Sequence, residues 1–363
     1  ADELIEILGE LCQVPGPSGH EQEIRSRVCR HWEAMGLDPI VDPVGNALAR
    51  VGGKGPRVLL QAHLDEIGYT VRHISPDGFL FLDSGQGGKR DKPERRFMVG
   101  QRGLVLRRGD VVAEGVFAAP SGHFLTEAAS QQELTLSDLF VDIGAESRAE
   151  VEARGIHIGS PVVWTSQTRV WGNRVVSKAL DNRLGLAIAI MAARRLELEN
   201  LTCELWLGAT VQEENFLHGA RAMARGKEFD AVLAIDNALS GDLPTVNRTD
   251  VDSVLGAGPV IVHQDWFIAY DQALAWQLFD VAQANGIKAQ HGVFTNYATD
   301  GGAFMEAGSP AVALGPPTRY THTANELGDM RDIVATVQLL SAFVTSPRDA
   351  DGRLSEARSK GKQ

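Results

Sequence analysis

The chain has 363 residues, 44% of them hydrophobic and 23% charged, enough to bury a large core in one large domain or two. Its 47 acidic side chains outnumber 35 basic ones, and the net charge of -12 argues against nucleic acid or an anionic membrane as a partner. Three scattered cysteines, Cys12, Cys29 and Cys203, exclude a disulfide framework or zinc ribbon; with no leader-like start and no apolar run of membrane length, they point to the cytoplasm.

Leu4, Ile5, Leu8, Leu11 and Cys12 recur at helical spacing and predict a helix over residues 2–12, stopped by the turn run Pro15-Gly16-Pro17-Ser18-Gly19. Ile24, Val28, Trp32 and Met35 predict a second helix over 21–36, ended by Gly36. Short strands follow at 39–41 and 47–51 around a turn at 42–46. Arg57-Val58-Leu59-Leu60 then reads as a buried strand that runs out in Gln61-Ala62-His63-Leu64-Asp65-Glu66-Ile67-Gly68. In open α/β sheets ligands collect at this carboxyl end of a strand. Taken alone, His63 reads as a satisfied core histidine and Asp65 as a turn former.

Residues 71–164 change texture, with short β-like runs at 79–82, 103–106, 110–117 and 139–143 separated by glycine, proline and charged turns. One helix is predicted there, over 148–154, with Ser147 and Glu150 spaced as a capping box. Residues 89–96 form a strongly charged run that reads as a solvated turn.

From Val170 the α/β pattern returns, with helices over 182–197, 269–285 and 325–344 and strands over 204–211, 231–235, 259–263, 288–294 and 310–314. The tail from Ser346 is polar. The class expected is α/β, a mostly parallel sheet covered by helices on both faces, with an inserted small β-barrel-like domain. Residues 1–69 and 165–350 form the α/β domain, 70–164 the insert and 351–363 a polar tail.

Further acidic and histidine residues fall at the edges of these elements. Asp181, at the start of a long helix, reads alone as an N-cap. Glu213 and Glu214 are adjacent carboxylates after a strand, uncomfortable unless solvated or held by a cation. Asp236 ends the 231–235 strand and His322 follows the 310–314 strand. Together His63, Asp181, Glu214, Asp236 and His322 make two imidazoles and three carboxylates, a donor set for two divalent ions with one carboxylate bridging. Zn²⁺ suits it first, and Co²⁺ or Mn²⁺ fit the same ligands. Two ions about 3.5–4 Å apart hold a bridging water, acidify it and polarise a carbonyl. Glu213 is then available as general base and acid, and Asp65 to orient His63, which makes the chemistry metal-assisted hydrolysis.

These motifs, Pro15-Gly16-Pro17-Ser18-Gly19 and Ala62 to Gly68 with Lys178-Ala179-Leu180-Asp181-Asn182-Arg183, Gln212-Glu213-Glu214, Asp236, Thr299-Asp300-Gly301-Gly302 and Arg319-Tyr320 before His322, resemble those of the glutamyl aminopeptidase and TET aminopeptidase family. The resemblance implies that His63, Asp181 and Asp236 hold one ion and Asp181, Glu214 and His322 the other. It implies Glu213 as general base, Asp65 as the catalytic-site aspartate, short peptides as substrates, and an inserted β domain that builds homo-oligomers, commonly a tetrahedral twelve-subunit particle. Family members usually follow the last histidine with Ser, often Ser-Pro, whereas this chain has His322-Thr323-Ala324, and the run at 89–96 is longer and more basic than usual.

The leading expectation is an aminopeptidase acting on short peptides. The alternatives are a related di-metal deacylase, a glycan hydrolase, which normally needs two carboxylates and no paired metals, and a non-catalytic assembly protein that keeps the fold.

Overall fold

The computed structural model describes residues 2–84, 97–120, 123 and 134–348. Its main sheet has eight strands, in the spatial order Ile40–Val41, Ala47–Gly52, Glu204–Thr210, Arg57–His63, Ala231–Ile235, Ala311–Gly315, Val260–Gln264 and Gln290–Val293. The four central strands are mutually parallel, so Glu204–Thr210, Arg57–His63, Ala231–Ile235 and Ala311–Gly315 all end on one edge. Antiparallel pairings occur only outside this block.

Burial on both faces explains why these strands read as continuous apolar runs. Val58, Leu60 and Ala62 point into a core shared with the helices Asp2–Gln13, Leu180–Arg194 and Met330–Thr345. Leu59 points the other way, against Met223 and Phe304 of the short helices His218–Ala224 and Asp300–Glu306. By this alternation Gln61 and His63 stand on the Leu59 face.

Six antiparallel strands close into a barrel between the first and later parts of the main sheet, ordered Tyr69–Ile74, Leu80–Asp83, Phe140–Asp142, Asp110–Ala118, Arg102–Arg107 and Pro161–Trp164. Its own core gathers Tyr69, Val71, Leu82, Phe117 and Trp164, and closure leaves no open sheet edge. Gly68 marks the crossing into the barrel, where a Cβ would sit 2.4 Å from Pro17 Cβ. The predicted helix is present as Arg148–Ala153, with Ser147 Oγ accepting from Glu150 N at 3.3 Å. Glu150 returns its carboxylate to Glu146 N rather than to Ser147, so only half of the expected box forms.

Several elements depart from expectation. The last helix begins at Met330 because Glu326–Asp329 is a strand, antiparallel to Arg174–Ser177. That strand belongs to a second, five-stranded sheet ordered Arg169–Trp171, Arg174–Ser177, Glu326–Asp329, Pro317–Arg319 and Ala238–Leu239, which the sequence did not announce. The helices His218–Ala224 and Asp300–Glu306 were also not anticipated. The charged run at 89–96 and the tail at 351–363 lie outside the described residues.

Candidate functional site

His63 is the last residue of its strand and 1% exposed. In the parallel ladder it pairs with Thr210, which sets Glu213 and Glu214 just beyond the neighbouring strand, and Asp236 follows the strand on the other side. His63 Nε2 lies 3.1 Å from Asp181 Oδ1 and 3.9 Å from both Glu213 Oε2 and Asp236 Oδ1. Its Nδ1 is 3.1 Å from the Asp65 carbonyl and 3.4 Å from Asp65 Oδ1.

Asp181 does not cap the helix. Its backbone is non-helical, its peptide bond to Asn182 is cis, and its N–H donates to Glu326 Oε2 at 2.8 Å. The capping bond comes instead from Asn182 Oδ1, which accepts from Gly185 N at 3.0 Å. Freed from that task, the Asp181 carboxylate faces both imidazoles, with Oδ2 3.4 Å from His322 Nε2. His322 is not at a main-sheet strand end as expected. It sits in the turn between Pro317–Arg319 and Glu326–Asp329, 3.2 Å from Glu214 Oε1, and its N–H donates to Glu326 Oε1 at 2.8 Å.

Three trios of donors result, two of which share Asp181. His63, Asp181 and Asp236 each offer an atom within 4.8 Å of the others, as do Asp181, Glu214 and His322, so Asp181 belongs to both. His63, Glu213 and Glu214 meet the same limit. Among the described residues, non-glycine residues with left-handed backbone include Ala179, Gln212, Phe216, Leu217, Tyr320 and His322, all within three positions of Asp181, Glu214 or His322. Each costs on the order of 1 kcal/mol, strain that packing elsewhere holds in place.

The electrostatics fit a cation site. Burial pushes Glu213 well above the ordinary carboxylate range against the pull of His63, and Glu214, Asp236 and Asp300 add to the rise. Burial and Asp181 do the same to Asp236, and burial raises Asp300 to about 6. Burial alone would lower His63, but Asp181 and Asp65 hold it well above its usual value. Asp65 and Asp181 stay low despite burial, Asp65 through His63 and Ser18 and Asp181 through His322 and His63. So many carboxylates in a dry pocket repel one another, and divalent cations on these oxygen and nitrogen donors relieve that repulsion.

Four supporting residues carried no role in the sequence reading. Ser18 Oγ donates to Asp65 Oδ2 at 2.6 Å. Glu326 receives the backbone N–H groups of Asp181 and His322. Asp300 takes bonds from Gln61 and Thr210 beneath His63, and Lys178 pairs with Glu66 at 2.6 Å. The Thr-Asp-Gly-Gly run and the acidic residue four places after His322 were the available signals. Thr323, at the departure from the usual Ser-Pro, donates to the Tyr320 carbonyl at 2.8 Å and accepts from Asn325 N.

An α/β sheet with one imidazole and several carboxylates at its carboxyl edge, a second imidazole brought to them by a turn of the smaller sheet, and an inserted barrel define the class as candidate metal-dependent hydrolase. A sequence model of the M42 glutamyl aminopeptidase family matches residues 45–339, and the chain belongs to that family. Aminopeptidase APDkam598 of the archaeon Desulfurococcus kamchatkensis is similar in structure, with a TM-score of 0.88, 31% identity and 95% of each chain covered. The TET1 peptidase of Pyrococcus horikoshii, which can assemble into a tetrahedron or a large octahedral shell, gives a TM-score of 0.84 at 31% identity over 94% of this chain and 99% of its own. The lysyl aminopeptidase of Pyrococcus furiosus is 29% identical over 353 residues, 95% of this chain and 98% of its own.

Proposed function

We propose that this chain is a dinuclear metallo-aminopeptidase that removes N-terminal residues from short peptides. The observation that carries the reading is the pair of donor trios sharing Asp181, with Glu213 beside them. His63, Asp181 and Asp236 would hold one ion, and Asp181, Glu214 and His322 the other. Divalent ions there, Zn²⁺ first and Co²⁺ or Mn²⁺ by the same donors, supply Lewis-acid polarisation of the scissile carbonyl and a more acidic attacking water.

Glu213 would accept the proton of the attacking water on its carboxylate and hand it to the amine nitrogen as the peptide C–N bond breaks. Its raised pKa suits a base that must release the proton again. Asp65 receives His63 Nδ1 and keeps the other ring nitrogen aimed at the donor cluster. Glutamyl and lysyl aminopeptidases both occur among these proteins, so the preferred N-terminal side chain varies within the family.

Residues 70–164 serve as an assembly domain beside the catalytic portions 1–69 and 165–350, supported by exposed Val111 and Val116 on the barrel and by the tetrahedral assembly of the TET1 peptidase. A homo-oligomer, a tetrahedral dodecamer in particular, is the state expected. No helix among the described residues is long and apolar enough to cross a membrane, and the cysteines are free, which supports a cytoplasmic site of action.

The test is a panel of aminoacyl chromogenic substrates and β-glucans, assayed after chelation and after restoring Zn²⁺, Co²⁺ or Mn²⁺. Metal-dependent release of the amino-acid residue is expected; glucan cleavage that survives chelation would overturn the reading.

A further inference from the structure

The run Pro15-Gly16-Pro17-Ser18-Gly19, one of the motifs in which the chain resembles the family, lies before the residues 45–339 matched by the family model and has no part in the chemistry above. Its placement gives it one. We propose that Ser18 is a positioning residue of the site, whose hydroxyl fixes the Asp65 carboxylate and, through it, the Glu213-Glu214 backbone and the His63 ring. The proposal rests on the metallo-aminopeptidase reading.

Asp65 is fully buried, and its two oxygens are divided among distinct partners. Oδ1 accepts from Glu213 N at 2.9 Å and lies 3.4 Å from His63 Nδ1. Oδ2 accepts from Ser18 Oγ at 2.6 Å and from Glu214 N at 3.2 Å. Ser18 is therefore the one side-chain hydroxyl in a set whose other members are the backbone and the imidazole that the site must aim. Without it the buried carboxylate loses a short, charge-assisted bond.

The loop is held so that the serine arrives in register. Gly16 N donates to Glu66 Oε1 at 3.0 Å and Glu66 N to the Gly16 carbonyl at 3.1 Å, with Pro17 and Glu66 forming a parallel bridge. Glu66 Oε2 lies 2.6 Å from Lys178 Nζ, and the fully buried Arg183 donates to the carbonyls of Leu11 and Gly16. A Cβ on Gly16 would come within 2.8 Å of Ile24 Cγ2 and 3.0 Å of Arg183 Nη2, so this approach requires glycine. At the far end, Glu21 Oε1 accepts from Gly19 N at 2.8 Å and from Gln212 N at 3.1 Å. One loop thus grips the segments that carry His63 and Asp65, Asp181, and Glu213 and Glu214.

The experiment uses the full chain as Ser18→Ala, Ser18→Thr, Asp65→Asn and the Ser18→Ala/Asp65→Asn double variant. Each is read by kcat and KM, by Co²⁺ affinity from visible absorption titration, and by thermal melting. Ser18→Ala is expected to lower kcat about 10–100-fold, with a smaller loss of Co²⁺ affinity and KM within about 2-fold. Ser18→Thr keeps the hydroxyl and restores most of the loss, and the double variant is no worse than Asp65→Asn alone. A Ser18→Ala chain that melts lower but keeps kcat and Co²⁺ affinity, or losses that multiply in the double variant, would overturn the proposal. If the wild-type chain binds Co²⁺ yet releases no amino acid, the aminopeptidase reading fails and Ser18 stands or falls on Co²⁺ affinity and its coupling to Asp65. A wild-type chain that takes up no Co²⁺ overturns both.

Discussion

Asp65 and Glu213 are both buried carboxylates within reach of His63, yet their surroundings drive them apart: one is held ionised by four partners, the other pushed toward protonation by burial and neighbouring charge. Glu213→Gln should therefore abolish turnover, by about 10²–10⁴-fold, while the chain still binds Co²⁺. Asp65→Asn should cut turnover more than metal content, and equal loss of both would show that Asp65 does more than aim His63. Cysteine chemistry gives an independent check on packing. Burial pushes the Cys12 thiol up to about 12 and Cys203 to about 11, and raises Cys29 as well. At pH 8 iodoacetamide should label the native chain slowly and only at Cys29, and all three after unfolding; rapid native labelling of Cys12 would contradict its burial. His63, Asp181, Glu214, Asp236 and His322 could be nominated from the sequence only as a set, since each alone reads as a core histidine, a cap or a solvated acid, and the fold brings their donor atoms together. Ser18 and Asp300 stood in motifs of the sequence, but their roles and that of Glu326 were not readable, since a serine in a turn or an acid in a loop looks the same whether it faces water or a buried partner distant in sequence.

At the level of elements, the central strands were readable because two-sided burial writes an uninterrupted apolar run. Glu326–Asp329 was misread as helix because the strong periodicity from Met330 onward invites extension backwards, while its strand partner Arg174–Ser177 lies far away in sequence. Short helices such as Asp300–Glu306 give too few turns for a pattern to accumulate. The junction into the barrel offers a sharp test. Gly68→Ala places a methyl against Pro17, and overpacking of this kind should cost about 1–3 kcal/mol in denaturant unfolding. Because Pro17 adjoins Ser18, the same variant should lower kcat as well; a destabilised chain with normal kcat would separate the junction from the site.

For the whole molecule, the barrel and the α/β portion are joined by more than the two crossings of the chain. Ala324, two residues after His322, packs in the barrel's apolar cluster, so the turn that carries one imidazole leans on the inserted domain. Ions bound only by the folded chain add stability by mass action, about 2.7 kcal/mol at a free concentration of 100 Kd. Chelation should accordingly lower the melting temperature and Zn²⁺ or Co²⁺ should restore it; a melting point indifferent to chelator would mean that the donor cluster holds no ion in the native state.

The donors extend from position 63 to position 322, and no trio lacks a member from beyond the barrel. During synthesis the first imidazole emerges early, but the second can join it only after most of the chain has been made. A peptide-cutting centre built this way is silent on the ribosome.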